Sequence, residues 1–387
     1  YLARGLIQGN RRILCYWSAE CIKDYICRQQ EYAARAIQDK IMDDHINVGH
    51  PFYFPTQVVM VDDDPDFLDG ISLMLDKNLS YRLFQSASEA LDYVNKSHQQ
   101  VSLLERCYSN YKTGPQESDS LSHIDIGKLH KEIFNSARFQ TSATVVVDYS
   151  MPEMNGLEFL MGLKNPFIKK VLLTGQADME LAIKAFNKQL IDQYIDKHDP
   201  RLKQILNSTI SVFSDQYFRS SYKLITDPII ANNHDAFLVD ARFQEYFRDI
   251  RLKTNCVEYY MIDHPQAGYL MLDAHGKRRV MLIYREKALA NHAQHLKDMN
   301  ASEKLIREVS RGESIPTFDV MDEGLNADHT FIRNPEKHYH PGITVCSVKN
   351  YFVTLLSEEN LPDIYKGNII PYADFLENNS LNREILH

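Results

Sequence analysis

Four short, almost unbroken apolar runs punctuate the first half of this 387-residue chain, and each leads straight into a side chain able to do chemistry. Gln57–Val61 runs into Asp62 and Asp63, and Val145–Val147 into Asp148. Val171–Leu173 runs into Thr174, and Ile191–Ile195 reaches Lys197 two residues on. Runs this short are strands rather than helices, and their lack of polar alternation means that both faces are buried. Tyr81–Phe84 reads as a fifth strand. Helices are expected between the strands: Asp66–Lys77, a helix to Val94 opened by the capping pattern Ser86-x-x-Glu89, and stretches near 155–164, 178–188 and 199–213. The alternation specifies an α/β fold, a doubly wound five-stranded parallel sheet. In such a sheet the carboxyl ends of the strands open on one crevice, where ligands bind. Three carboxylates there form a hard, oxygen-rich pocket suited to Mg²⁺, with a hydroxyl and an ammonium beside it for a phosphoryl group.

The motifs themselves, Val58-Val-Met-Val-Asp-Asp-Asp-Pro65, Val145-Val-Val-Asp-Tyr-Ser-Met-Pro-Glu-Met-Asn-Gly156, Leu172-Leu-Thr-Gly175 and Tyr194-Ile-Asp-Lys197, resemble in order those of the receiver domain of two-component response regulators. The likeness spans roughly residues 56–212 apart from one insertion. It implies a flavodoxin-like receiver in which Asp148 is the phosphoacceptor and a sensor histidine kinase is the donor. By the same resemblance Mg²⁺ is held by Asp63, by Asp62 through water, by Asp148 and by the backbone carbonyl of Ser150. Lys197 pairs with the phosphoryl group, Thr174 bonds it, and Tyr194 is the switch aromatic. Homodimerisation on phosphorylation is expected. Two departures from the pattern stand out. His198 follows the lysine where the family usually has proline, and some forty-five residues lie between Lys96 and Thr144 where a short connection would serve.

The domain layout read from the sequence has three parts. Residues 1–54 form a helical extension and linker, 55–213 the receiver with its insertion at about 97–140, and 214–387 an α+β output domain. The extension lacks proline over residues 1–40, carries seven basic against four acidic residues there, and reads as a long helix from Arg11 to Asp43. Gly49, Pro51 and Pro55 mark the linker. Within the insertion, 112–122 reads as mobile and 126–138 as helical. Six cysteines without a C-x-x-C pair read as reduced thiols, and Cys15, Cys21 and Cys27 do not share a helix face. No run is long enough to span a membrane and no signal-peptide pattern is seen, so a cytoplasmic protein with no membrane contact is expected. Net charge −9 argues against a broadly DNA-coating surface.

The second half carries no glycine-rich phosphate loop, zinc-protease helix or helix-turn-helix pattern. A helix at Arg242–Lys253, strands Val257–Ile262, Gly268–Asp273 and Arg279–Tyr284, a helical region Glu286–Arg311 and further strand over Thr344–Leu356 are expected. The run from Val257 to Gly276 resembles an output region found behind some bacterial receivers. That likeness implies quorum-sensing gene regulation and an output domain related to the PD-(D/E)xK nuclease fold, binding nucleic acid or a protein partner. The alternative is a phosphorylation-gated, metal-dependent nuclease or phosphodiesterase using Asp263, Asp273 and Glu286. No acid-x-lysine pair lies on the strands concerned, which favours binding without cutting. Asp328, His329, His338 and His340 read as solvated loop rather than a metal cluster, and Tyr259, Tyr260, Tyr269 and Tyr284 as alternation on a half-buried sheet rather than as rings that stack on bases.

Overall fold

A computed structural model describes residues 49–97, 107–112, 120–175, 179–231, 236–263, 266–317, 335–347 and 350–381. The readings for the N-terminal helix and its cysteines, for 113–119, and for Asp328 and His329 lie outside these residues. The elements of the first half are β1 (Phe52–Tyr53), β2 (Gln57–Val61), α1 (Pro65–Ser72), β3 (Ser80–Phe84), α2 (Ala87–Ser97), β4 (Tyr108–Lys112), β5 (Ser120–Ile124), β6 (Ser142–Asp148), α3 (Gly156–Met161), β7 (Lys169–Thr174), α4 (Met179–Asn187), β8 (Gln193–Asp196) and α5 (Leu202–Ser221). Five of the strands make a parallel sheet in the order β3-β2-β6-β7-β8, the flavodoxin-like arrangement. Burial on both faces explains the unbroken apolar runs. Val58, Met60, Val146, Val171 and Leu173 pack against Leu68 and Ile71 of α1 and against Leu206, Ile210 and Phe213 of α5. Val59, Val61, Val145, Val147 and Leu172 face α2, α3 and α4 on the other side.

Several boundaries differ from the sequence reading, each for a local reason. The helix expected to reach Lys77 stops at Ser72, because Asn207 of α5 takes over the backbone beyond it. Its amide donates to the Met74 carbonyl at 2.9 Å and its oxygen accepts from the Asp76 N–H at 2.9 Å. The last receiver strand is Gln193–Asp196 rather than 191–195. The expected helix at 126–138 is instead two 3-10 segments, Ile126–Phe134 and Arg138–Gln140. Ile126, Leu129 and Glu132 recur every third residue, the period at which 3-10 side chains eclipse. Leu129 and Glu132 are buried with His130 and Ile133.

The second half comprises α6 (Lys223–Ala231), α7 (Ala241–Lys253), β9 (Cys256–Ile262), β10 (Gly268–Asp273), β11 (Arg278–Arg285), α8 (Glu286–Asp298), α9 (Glu303–Ser310), β12 (Ser314–Pro316), α10 (Pro335–His338), β13 (Tyr339–Pro341), β14 (Ile343–Val345), β15 (Tyr351–Ser357) and α11 (Tyr372–Leu381). The expected single strand over Thr344–Leu356 is thus two, paired antiparallel. The helical region 286–311 divides into α8 and α9. The β10–β11 turn closes through Gly276, whose φ of +77° suits glycine. All pairings in the six-stranded sheet β1-β9-β10-β11-β15-β14 are antiparallel. Tyr259 and Tyr260 are adjacent in β9 and both buried, as are Tyr269 and Tyr284, so this sheet is covered on both faces rather than half-buried.

The two halves interlock. Phe52 and Tyr53, placed in a linker by the sequence reading, pair with Tyr260 and Tyr259 as the edge of the output sheet. Phe52 and Phe54 are buried against α5 and the output sheet, with ring centroids 5.1 Å apart for Phe54 and Phe218 and 4.5 Å for Phe52 and Tyr222. Helix α5 continues past residue 213 to Ser221 and packs Tyr217 and Phe218 into the same core. The insertion closes the junction. Arg138 reaches the output strand β9, its Nε donating to Glu258 Oε1 at 2.7 Å and its Nη2 to Oε2 at 3.2 Å. A second Nη2 bond goes to the Ile370 carbonyl at 2.8 Å, and Tyr260 Oη donates to Glu258 Oε1 at 2.8 Å. The Arg138 and Glu258 side chains are 0% and 2% exposed, so the pair lies fully inside. Burial raises the Glu258 carboxyl above the usual carboxylate range, and the Arg138 guanidinium offsets only part of that rise. Nearby, His130 stacks edge-on against Tyr365, and Phe139 packs on Tyr372 and Phe375.

Two expectations follow from this junction. Arg138→Met strands a buried carboxylate and should cost about 3–5 kcal/mol, while Arg138→Met combined with Glu258→Leu should recover most of that loss. Urea unfolding of both variants checks this, and receiver and output signals should melt together. His130 Nδ1 is buried without a hydrogen-bond partner, and burial, helped by Lys131 and opposed by Asp125, lowers its pKa from 6.5 to about 4. The unfolded chain therefore binds this proton first. The stability that the neutral imidazole contributes is complete above pH 6.5 and is lost as pH falls towards 4, by on the order of 3 kcal/mol. The difference between wild type and His130→Gln across a pH series of urea titrations isolates it.

Candidate functional site

The register of the parallel sheet assembles the site. Val61 of β2 is paired with Val147 of β6, so Asp62 and Asp148 emerge side by side. Asp148 is paired with Leu173 of β7, which places Thr174 one step further, and Thr174 is paired with Asp196, which places Lys197 just beyond β8. Carboxylate oxygens of Asp62, Asp63 and Asp148 lie within 4.8 Å of one another, forming the sole group of three or more potential metal ligands among the described residues. Asp62 and Asp148 are buried, whereas Asp63 is exposed at the mouth. Lys197 Nζ bridges the two buried acids, 2.6 Å from Asp62 Oδ2 and 2.9 Å from Asp148 Oδ1. Burial opposes the ammonium, but the two carboxylates outweigh it and raise the Lys197 pKa, so the cation is permanent. For Asp62, burial pushes the carboxyl up and Lys197 offsets part of the rise.

The backbone around these groups is fixed by short-range bonds. The Asp64 N–H donates to Asp62 Oδ1 at 3.1 Å, and Asp64 in turn caps α1 by accepting from the Asp66 and Phe67 N–H groups. The phenyl ring of Phe67 lies 4.5 Å from Lys197 Nζ, centroid to nitrogen. Asn155 caps α3 with a reciprocal bond from Glu158. Gly156 lets that helix close on the end of β6, since a Cβ there would run into the Asp148 carbonyl oxygen. Ser150 is exposed in the turn between them. Thr174 is fully buried and its hydroxyl donates to the Gly175 carbonyl at 3.0 Å. Tyr194 is half-buried, its ring 6.0 Å from Phe186 at 80°. His198, where the family usually has proline, donates its N–H to Asp196 Oδ1 at 2.8 Å, a bond that proline could not make.

The structure brings Asp62, Asp63, Asp148 and Lys197 together, with Thr174 next to them by strand register, whereas Tyr194 packs on Phe186 and Ser150 and His198 lie in exposed turns. The donor set fits Mg²⁺, being hard oxygens with a second face left for phosphoryl oxygens. Sequence reasoning missed Phe67, whose partner is distant in the chain and leaves no periodic signal. It also missed Asp64 as a cap, which the Asp-Pro pair opening α1 could have revealed.

The output acids fare differently. Ile262 is opposite Gly268 in register, and Asp273 opposite Cys256, so Asp263 and Asp273 stand at opposite ends of the sheet. Glu286 follows β11 at the Asp263 end. The register thus denies the three acids a common centre. His338 and His340 are both partly buried, flanking Tyr339.

Compared with protein-family models and with curated protein sequences, the chain matches none. Among solved structures it is similar to the response regulator LqsR of Legionella pneumophila, at 31% identity over 87% of this chain and 98% of that one, with a TM-score of 0.66. Response-regulator receiver domains from Clostridium thermocellum and Methanospirillum hungatei match at 17% and 19% identity, covering 43% and 42% of this chain and 97% and 96% of theirs, each with a TM-score of 0.28. With acid, hydroxyl and ammonium groups at the carboxyl edge of a flavodoxin-like sheet, and a relative 31% identical over 87% of this chain, the chain belongs to the response-regulator family.

Proposed function

We propose that this response regulator accepts a phosphoryl group on Asp148 from a sensor histidine kinase, and that the modification changes how the regulator dimerises. The convergence of Asp62, Asp63 and Asp148 with Thr174 and Lys197 in one crevice carries this reading. A carboxylate oxygen of Asp148 attacks the phosphorus of phosphohistidine; the new P–O bond forms as the P–N bond breaks, and the imidazole leaves. Mg²⁺, held by Asp62, Asp63, Asp148 and the Ser150 carbonyl, would supply charge neutralisation of the attacking carboxylate and the phosphoryl oxygens. Lys197 contributes a permanent positive charge already bonded to the nucleophile. Thr174 turns its hydroxyl from the Gly175 carbonyl to a phosphoryl oxygen, and Tyr194 follows into the space this opens.

How the signal leaves is constrained by the junction between the halves. Releasing the output domain would expose Phe52, Phe54 and Phe218 and break the buried Arg138–Glu258 pair, a cost far above the 1–3 kcal/mol typical of coupling between sites. The regulator is therefore read as switching its outer surface, with both halves moving as one. Because its acids do not share a centre, the output domain is read as binding a partner, nucleic acid or protein, in quorum-sensing gene regulation in the cytoplasm, rather than as a nuclease. Among the described residues no helix is long and apolar enough to cross a membrane.

With Mg²⁺, beryllofluoride, a mimic of the aspartyl phosphate, should shift the mass measured by light scattering from monomer towards dimer, and Asp148→Asn should abolish the shift. An unchanged mass in wild type, or an equal shift in the variant, overturns the proposal. A salt series on any nucleic-acid binding distinguishes phosphate contacts, which weaken steeply, from a protein partner.

A further inference from the structure

Lys197 must change partners during the switch proposed above, and one neighbour offers it a contact that need not change. Its ammonium now bonds the carboxylates of Asp62 and Asp148, both of which belong to the expected Mg²⁺ set. When those carboxylates turn to a metal, the ammonium loses two anionic partners at the moment it is needed by the phosphoryl group. The Phe67 ring, 4.5 Å away, is neither a metal ligand nor a phosphoryl ligand. Its negative face attracts a cation whatever the acids are doing. Phe67 is held there by the cap of α1, where its N–H donates to Asp64 Oδ1 at 3.2 Å, while the Asp64 N–H is bonded to Asp62. The ring is thus tied through two backbone bonds to the same acid whose partner it shares.

We infer that Phe67 is a positioning residue for the phosphoryl switch, keeping the Lys197 ammonium aimed into the crevice while its carboxylate partners are occupied by metal. The inference rests on the phosphoacceptor reading of Asp148. Phe67 makes no contact with the phosphoryl group; it acts through Lys197.

Calorimetric titration with beryllofluoride at saturating Mg²⁺, and separately with Mg²⁺ alone, tests it on the full chain as wild type, Phe67→Leu, Phe67→Trp and Asp148→Asn. Leucine preserves the apolar packing of α1 and removes the π face; tryptophan restores it. Phe67→Leu should weaken beryllofluoride binding by up to roughly 30-fold, the most that a desolvated cation–π contact supplies once it is the main partner left to Lys197, with Mg²⁺ affinity unchanged, and Phe67→Trp should recover it. Unchanged beryllofluoride affinity in Phe67→Leu, or a parallel fall in Mg²⁺ affinity and urea midpoint, overturns the inference while leaving the phosphoacceptor reading intact. Absence of binding in wild type, or equal binding in Asp148→Asn, removes both.

Discussion

A single apolar core runs from one face of the parallel sheet into the antiparallel sheet behind it, and most of what this regulator can do follows from that continuity. Val59, Val145 and Val147 belong to the same buried cluster as Tyr260, Leu270 and Leu282. The Arg138–Glu258 pair sits within this junction with almost no solvent contact, so it fixes the geometry of the halves more than it adds stability. The other face of the parallel sheet has its own core, closed by α1 and α5. The crevice that holds Asp148 opens at the edge of both layers.

The site shows the same economy in its charges. Two buried carboxylates beside one another repel, and the Lys197 ammonium between them offsets that repulsion before any metal arrives. Asp63 stays at the exposed mouth, where an ion would first meet the pocket. The charges in the crevice are therefore already largely balanced by the protein's own side chains.

Much of this was legible in the residues. Val58–Val61, Val145–Val147 and Val171–Leu173 are apolar throughout because both faces are covered, and the chemistry begins where each strand stops. Parallel register then turns four separated motifs into one site. The unread parts have partners far off in the chain. Nothing local tells Phe52 and Tyr53 that they will pair with Tyr260 and Tyr259, or tells Arg138 that Glu258 awaits it. Asn207 ends a helix more than 130 residues earlier by bonding Met74 and Asp76, an effect invisible to helix propensity. Tyr259 and Tyr260 are both buried because a second layer covers the other face of the sheet, which the half-buried alternation expected from the sequence does not display.

Strand β1 carries a consequence for how such regulators can be recombined. It completes the edge of one sheet and, after only three intervening residues, the chain enters β2 of the other. Helix α5 crosses in the opposite sense at the far end of the receiver. A gene segment encoding residues 55–213 alone would leave behind the edge strand Phe52–Tyr53 that precedes it and cut through α5 at its finish. The seam is stitched twice, by β1 and by α5, so neither half keeps its own edge when the chain is divided there.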